Sequence, residues 1–139
     1  MINLDYKTNR HSCFSLKYHL VVTTKYRHKV INKTILNELV EISNNIFKEK
    51  WDCEILQING EEDHLHILFE APPQVQLSKL INNFKTVSSR LIRKNHKEQV
   101  EKYYWKPYFW SNSYLIISSG GAPIEVIKKY IQNQTTPKE

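Results

Sequence analysis

Apolar residues alternate with polar ones in several stretches of this chain and recur at a helical period in others. Phe14, Leu16, Tyr18, Leu20 and Val22 alternate with Ser15, Lys17, His19, Val21 and Thr23, which predicts a strand with one apolar face. Asn32 is an N-cap residue type, and Ile35, Leu36, Leu39, Val40, Ile42, Ile46 and Phe47 then predict an amphipathic helix over about 33–50. Residues 51–59 read as a second strand, with Cys53, Ile55, Gln57 and Asn59 on one face and Glu54, Leu56 and Ile58 on the other. Asn59-Gly60 reads as a turn, and residues 64–71 as the next strand, ended by Pro72-Pro73. Leu77, Leu80, Ile81, Phe84, Val87, Leu91 and Ile92 predict a second amphipathic helix. An aromatic-rich link over 103–110, a last strand over 114–117 and a break over 118–121 follow. Pro123 opens a terminal helix that runs to about Gln134.

The order strand, helix, strand, strand, helix, strand predicts an α+β fold. It is a ferredoxin-like or RRM-like antiparallel sheet with two helices on one face, followed by a C-terminal helix. The other sheet face is expected to stay open for a ligand. The 139 residues suit one domain, with a core over 14–118, a break over 118–122 and the terminal helix over 123–134. A hydrophobic share of 40% against 24% charged residues is globular rather than disordered. No apolar run reaches the length of a bilayer span, and residues 1–13 lack a signal-peptide core, so a cytoplasmic protein with no membrane partner is expected. Cys13 and Cys53 lack a CxxC spacing and read as reduced thiols.

A net charge of +6 and a pI near 9.3 favour a polyanionic partner, nucleic acid ahead of an anionic membrane. Lys79, Lys85, Arg90, Arg93 and Lys94 lie on the outer face of the second helix and meet no acid until Glu98, a pattern that fits a groove tracking a single strand. Lys25 and Arg27 add a basic segment around Tyr26. The aromatics of 103–110 fit base stacking or core packing; Trp51 reads as core.

Two residues apart on a strand, His64 and His66 share a face with Leu68, while Leu65, Ile67 and Phe69 face the core. Paired imidazoles on a stiff backbone make half of a metal site, or simply two histidines on an exposed sheet face. Asp63 could orient a histidine as its hydrogen-bond partner, but the pleat turns it away from the pair and favours a turn-capping role. Tyr130 and Gln134 are four apart on the terminal helix and share a face, beside the stripe of Ile124, Ile127 and Ile131. Taken alone, Tyr130 fits a half-buried packing residue better than a reactive one.

Five segments change that balance: Lys17-Tyr18-His19-Leu20-Val21, Thr24-Lys25-Tyr26-Arg27, Asp63-His64-Leu65-His66-Ile67-Leu68, Ser88-Ser89-Arg90-Leu91, and Gly120-Gly121-Ala122-Pro123 with Tyr130-Ile131-Gln132-Asn133-Gln134. In this order, over residues 14 to 134, the chain resembles the single-tyrosine HUH transposases of small bacterial and archaeal insertion sequences that move as single-stranded DNA. The resemblance implies Tyr130 as the nucleophile that forms a 5′-phosphotyrosine, and His64, His66 and Gln134 as ligands of Mg²⁺ or Mn²⁺. It also implies single-stranded DNA with end hairpins as partner, and a homodimer whose sheets join edge to edge and whose active sites draw on both chains. Gly120-Gly121 resembles the hinge of the tyrosine helix. Thr23-Thr24, and the absence of a glycine before Ser88-Ser89, depart from the family pattern, so its sequence-specific DNA contacts do not carry over. Two other readings remain: a non-catalytic RRM-like module that binds single-stranded nucleic acid, and a domesticated tyrosine transposase acting on genomic palindromic repeats.

Overall fold

A computed structural model describes residues 7–8, 13–119 and 124–134. Strands β1 (Lys7–Thr8) and β2 (Cys13–Phe14) pair as a small antiparallel ribbon. The main sheet contains β3 (Lys17–Thr23), β4 (Glu54–Glu61), β5 (His64–Glu70) and β6 (Leu115–Ser118) in the spatial order β4-β5-β3-β6, every neighbour antiparallel. Helices α1 (Lys33–Ser43), α2 (Leu77–Asn95), α3 (Lys97–Glu101) and α4 (Ile124–Asn133) complete the fold. This is the expected ferredoxin-like α+β arrangement.

One sheet face carries the main core. Leu20 and Val22 of β3 and Leu65, Ile67 and Phe69 of β5 pack with Ile35 and Leu39 of α1 and with Leu80, Ile81 and Phe84 of α2, all fully buried. Phe47 meets Phe69 and Phe84 edge-on, with ring centroids 5.0 and 5.5 Å away. The Asn32 side chain accepts a bond from the Ile35 N–H at 2.9 Å and so caps α1 as its residue type predicts. Beyond Ser43 the helix widens into i→i+5 turns over Asn44–Lys50, which end on a Trp51 N–H to Ile46 carbonyl bond of 3.1 Å.

β4 departs most from its sequence reading. It begins at Glu54 and runs through Gly60 to Glu61, so Asn59-Gly60 lies in the strand and the turn falls at Glu62-Asp63. The pairing slips by one residue between Ile55 and Gln57. This bulge leaves Ile55 opposite Phe69 and Ile58 opposite Ile67 on the core side, whereas Gln57 and Asn59 join Leu68 and His66 on the other face. Simple alternation could not group them so. Gly60 serves close packing: a Cβ there would stand 2.5 Å from Leu36 Cδ1 and 3.2 Å from Leu65 Cδ1.

The second sheet face is not wholly open. α4 lies against β3, and both Val21, on the His66 side, and Ile127 of α4 are buried. The short α3, which the sequence reading lacked, buries only Val100. The glycine break at Gly120-Gly121 and the start at Pro123 lie outside the described residues, as does the Ile124 side chain.

Candidate active site

Register fixes which side chains share the second face. His64 pairs with Thr23, His66 with Val21 and Leu68 with His19, so three histidines from two strands project to one side. His19 Nδ1 and His66 Nε2 share a hydrogen bond of 2.8 Å. Burial holds both imidazoles below the ordinary histidine value, and neighbouring His19 and His64 push His66 further down. Both are therefore neutral at neutral pH, the form with a lone pair for a cation. Thr23 Oγ1, opposite His64, is buried without a hydrogen-bond partner.

Asp63 does more than cap a turn. It sits in the turn and not in the pleat, so strand alternation does not govern its side chain. Its Oδ1 lies 2.9 Å from His64 Nδ1 and its Oδ2 accepts from Arg27 Nε at 3.1 Å. Burial pushes the carboxyl up, but the bonds from His64 and Arg27 outweigh it and leave Asp63 below the usual carboxylate range. A carboxylate on Nδ1 leaves His64 Nε2 as the nitrogen with a free lone pair.

Tyr130 and Gln134 meet at one point. The Ser113 hydroxyl, just before β6, lies 3.2 Å from the Tyr130 phenol oxygen and donates to Gln134 Oε1 at 3.1 Å. The same helix end is tied to the histidine side: Arg27 Nη1 donates to the Ile131 carbonyl at 3.2 Å and to the Gln132 carbonyl at 3.4 Å. A continuous path of bonds thus runs from His64 through Asp63 and Arg27 to the turn that carries Tyr130 and Gln134.

The donor types of these side chains are ones a divalent cation could use. His64 and His66 could offer a cation two imidazole nitrogens, and Asp63 bonds His64 Nδ1 as an outer carboxylate commonly does for a metal-binding histidine; Gln134 Oε1 is bonded to Ser113. A cation on His66 Nε2 would have to displace its bond to His19. Among the described residues no group of three His, Cys, Asp or Glu side chains is placed to hold a metal ion.

The basic candidates separate. Lys79, Arg90 and Lys94 are exposed, and Arg93 is half-buried with Nε bonded to Ser89 Oγ at 3.2 Å. Lys85 donates to the Ser111 and Ser113 carbonyls at 2.7 and 3.3 Å. Lys25 is only 7% exposed and its ammonium lies 5.5 and 5.2 Å from the ring centres of Tyr26 and Tyr108, which withdraws it from the solvent-facing set. A cleft of about 400 Å³ joins Arg90, Arg93, Lys94 and Lys97 to Trp105 and Lys106, and Trp105 is 88% exposed. Of the other aromatics, Tyr104, Phe109 and Trp110 are core, and Trp51 packs on the core with its indole N–H on Asn83.

Three participants escaped the sequence reading: His19, Ser113 and the internal role of Arg27. His19 had a visible signal, since it lies on the polar side of the first strand. Its neighbour His66 becomes visible only with the β3–β5 register. No helix among the described residues is long and apolar enough to cross a membrane.

Known proteins carry the same plan. The chain is 28% identical to the ISDra2 transposase TnpA of Deinococcus radiodurans over 134 residues, which covers 96% of this chain and 94% of that one. It is 27% identical to the transposase for insertion sequence element IS200 of Salmonella typhimurium over 130 residues, 94% of this chain and 84% of the relative. A crystal structure described as a transposase from Deinococcus radiodurans R1 superposes with a TM-score of 0.84 at 25% identity, covering 94% of this chain and 98% of its own. A REP-associated tyrosine transposase bound to a REP hairpin shares the fold at TM-score 0.51 and 12% identity, with 90% of this chain and 67% of that one covered. The family described as "Transposase IS200 like" matches residues 12–134, so the chain belongs to the IS200-like transposases.

Proposed function

We propose that this transposase cuts and rejoins single-stranded DNA at the ends of an insertion sequence, with Tyr130 as covalent nucleophile. The carrying observation is the gathering of Tyr130 and Gln134 on Ser113, on a helix end that Arg27 ties to the Asp63–His64 pair. The Tyr130 phenol oxygen attacks the scissile phosphorus. The bond to the 3′-oxygen of the departing strand breaks, the phenolic proton is lost, and the freed 3′-oxygen takes up a proton. The products are a 5′-phosphotyrosine and a 3′-hydroxyl. Because the ester conserves the bond, a second 3′-hydroxyl can reverse the step and join new ends without ATP.

His64, His66 and Gln134 would hold Mg²⁺ or Mn²⁺. When bound, such a cation withdraws charge from the phosphate and stabilises the departing oxygen. Tyr130 needs this help, because a phenol with a pKa near ~10 is mostly protonated at neutral pH. The partner is single-stranded DNA with end hairpins. Its backbone suits the exposed Arg90 and Lys94 and the cleft beside Trp105. A homodimer is also proposed, since β4 is an outer strand with Leu56 exposed, and sites built from both chains would follow from exchange of the tyrosine helix.

The test is an adduct assay. Parent and Tyr130→Phe proteins are incubated with labelled single-stranded DNA bearing the element's end hairpin, with Mn²⁺ or with chelator. The expected result is a denaturation-resistant adduct from the parent with metal only. DNA binding without any adduct would instead identify a binding module.

A further inference from the structure

Arg27 stands at the centre of an arrangement that the chain maintains against its own backbone preference. Tyr26 and Arg27 are consecutive residues with left-handed φ values of 60° and 54°. Such conformations are unfavourable for residues with a Cβ and persist where surrounding contacts enforce them, often near functional sites. The enforcing contacts are present. The Thr24 N–H donates to the Asp63 carbonyl at 2.9 Å, and the Thr24 hydroxyl donates to the His28 carbonyl at 2.7 Å. The bend is thereby fastened to the turn that precedes His64.

The guanidinium that emerges from this bend has two sets of partners. Its Nε bonds Asp63 Oδ2 at 3.1 Å, and the other carboxylate oxygen of Asp63 lies 2.9 Å from His64 Nδ1. Its Nη1 reaches the carbonyls of Ile131 and Gln132, at 3.2 and 3.4 Å. Those carbonyls belong to the last turn of α4, where intrahelical donors run out and the helix dipole is negative. They also lie in the short backbone stretch between Tyr130 and Gln134. A rigid, planar cation therefore grips the helix between the two residues assigned to the chemistry and holds the carboxylate that orients His64.

We infer that Arg27 is a positioning residue that sets the register of the tyrosine helix against the histidine face. This rests on the proposed role of Tyr130. Arg27 acts through its bonds to Asp63 and to the helix backbone. The role differs from a phosphate contact, the ordinary use of an arginine in a DNA-binding protein.

The experiment uses the full chain with hairpin-bearing single-stranded DNA and Mn²⁺. Single-turnover adduct rates at saturating DNA, and DNA dissociation constants across salt, are measured for Arg27→Gln, Arg27→Lys, Asp63→Asn and the double variant Arg27→Gln/Asp63→Asn. Arg27→Gln is expected to slow the adduct step ~10–100-fold, the range for removing an outer support of a metal ligand, with DNA affinity and its salt dependence unchanged. Arg27→Lys should recover part of the rate. The double variant should lose less than the product of the two single losses, because both changes remove the shared Arg27–Asp63 bond. Weaker DNA binding with a normal rate at saturation, a salt slope reduced by about one, additive losses, or a faster adduct step would each overturn the inference. Hydrogen exchange along α4 gives an independent reading: Arg27→Gln should lose amide protection there in the DNA-free protein, and unchanged protection overturns the grip. If the parent forms no adduct with Tyr130, the proposed function fails, and the exchange result alone still decides whether Arg27 holds the helix.

Discussion

Replacing Ser88 by alanine should cost the protein far more than a missing hydroxyl on a helix surface. Ser88 is buried within α2, where its Oγ donates to the Phe84 carbonyl at 2.6 Å and accepts the Trp110 indole N–H at 2.9 Å. The first bond is dispensable, because Phe84 O also lies in the helix ladder. The second is not: Trp110 is 6% exposed, so its N–H would be left buried with no acceptor. An orphaned donor of that kind costs roughly 1–3 kcal/mol. With a urea m value of about 1–3 kcal/mol/M, the midpoint should fall by on the order of 1 M. The effect bears on the site, since Trp110 bridges to Thr24 and the Ser111 N–H donates to the Thr23 carbonyl at 2.8 Å, beside His64. Urea unfolding followed by circular dichroism on Ser88→Ala, Trp110→Phe and the double variant isolates the pair. The cycle should return a coupling of about 1–2 kcal/mol. A single-variant loss below about 0.5 kcal/mol, or zero coupling, would refute the reasoning.

Further outcomes follow from the same geometry. Lys85→Met should lower stability by about 1–2 kcal/mol, reduced from the full value of charge-assisted bonds because Ser113 is exposed, and should leave the salt dependence of DNA binding unaltered; a slope smaller by about one with normal stability would make Lys85 a phosphate contact. Burial, with a smaller contribution from Asp52, pushes the Cys53 thiol up to about 12, whereas Cys13 is exposed. A thiol reagent at pH 8 should therefore modify Cys13 quickly and Cys53 only on unfolding, which mass spectrometry resolves; rapid loss of both thiols from folded protein would contradict the burial.

What the sequence could disclose depended on how locally each feature is encoded. β5 was readable because Leu65, Ile67 and Phe69 alternate strictly with His64, His66 and Leu68, and a single slip would expose the whole set. α1 and α2 were readable because their apolar residues recur every three to four positions. β4 was not, since one extra residue at the bulge inverts the faces of everything before it, and Asn59-Gly60 imitates a hairpin turn that the chain makes three residues later, at Glu62-Asp63. At the candidate site, His64 and His66 stood out by residue type and spacing, whereas Tyr130 and Gln134 stood out only through the family resemblance. Arg27, Asp63 and Ser113 did not, because their partners are set by register and docking across as many as 105 positions of sequence. Lys25 shows the converse: in a basic run it reads as solvated, whereas the fold buries it beside the Tyr26 and Tyr108 rings.

The central claim is that Tyr130 and a cation on His64, His66 and Gln134 act on one phosphate. A crystal structure with hairpin-bearing DNA, with Mn²⁺ located by its anomalous signal, tests it most directly. The account predicts the ion on those three side chains and the Tyr130 oxygen about 3–3.5 Å from the scissile phosphorus, within one chain or between two. An ion bound elsewhere, or a Tyr130 remote from that phosphate in every pairing of subunits, would contradict it.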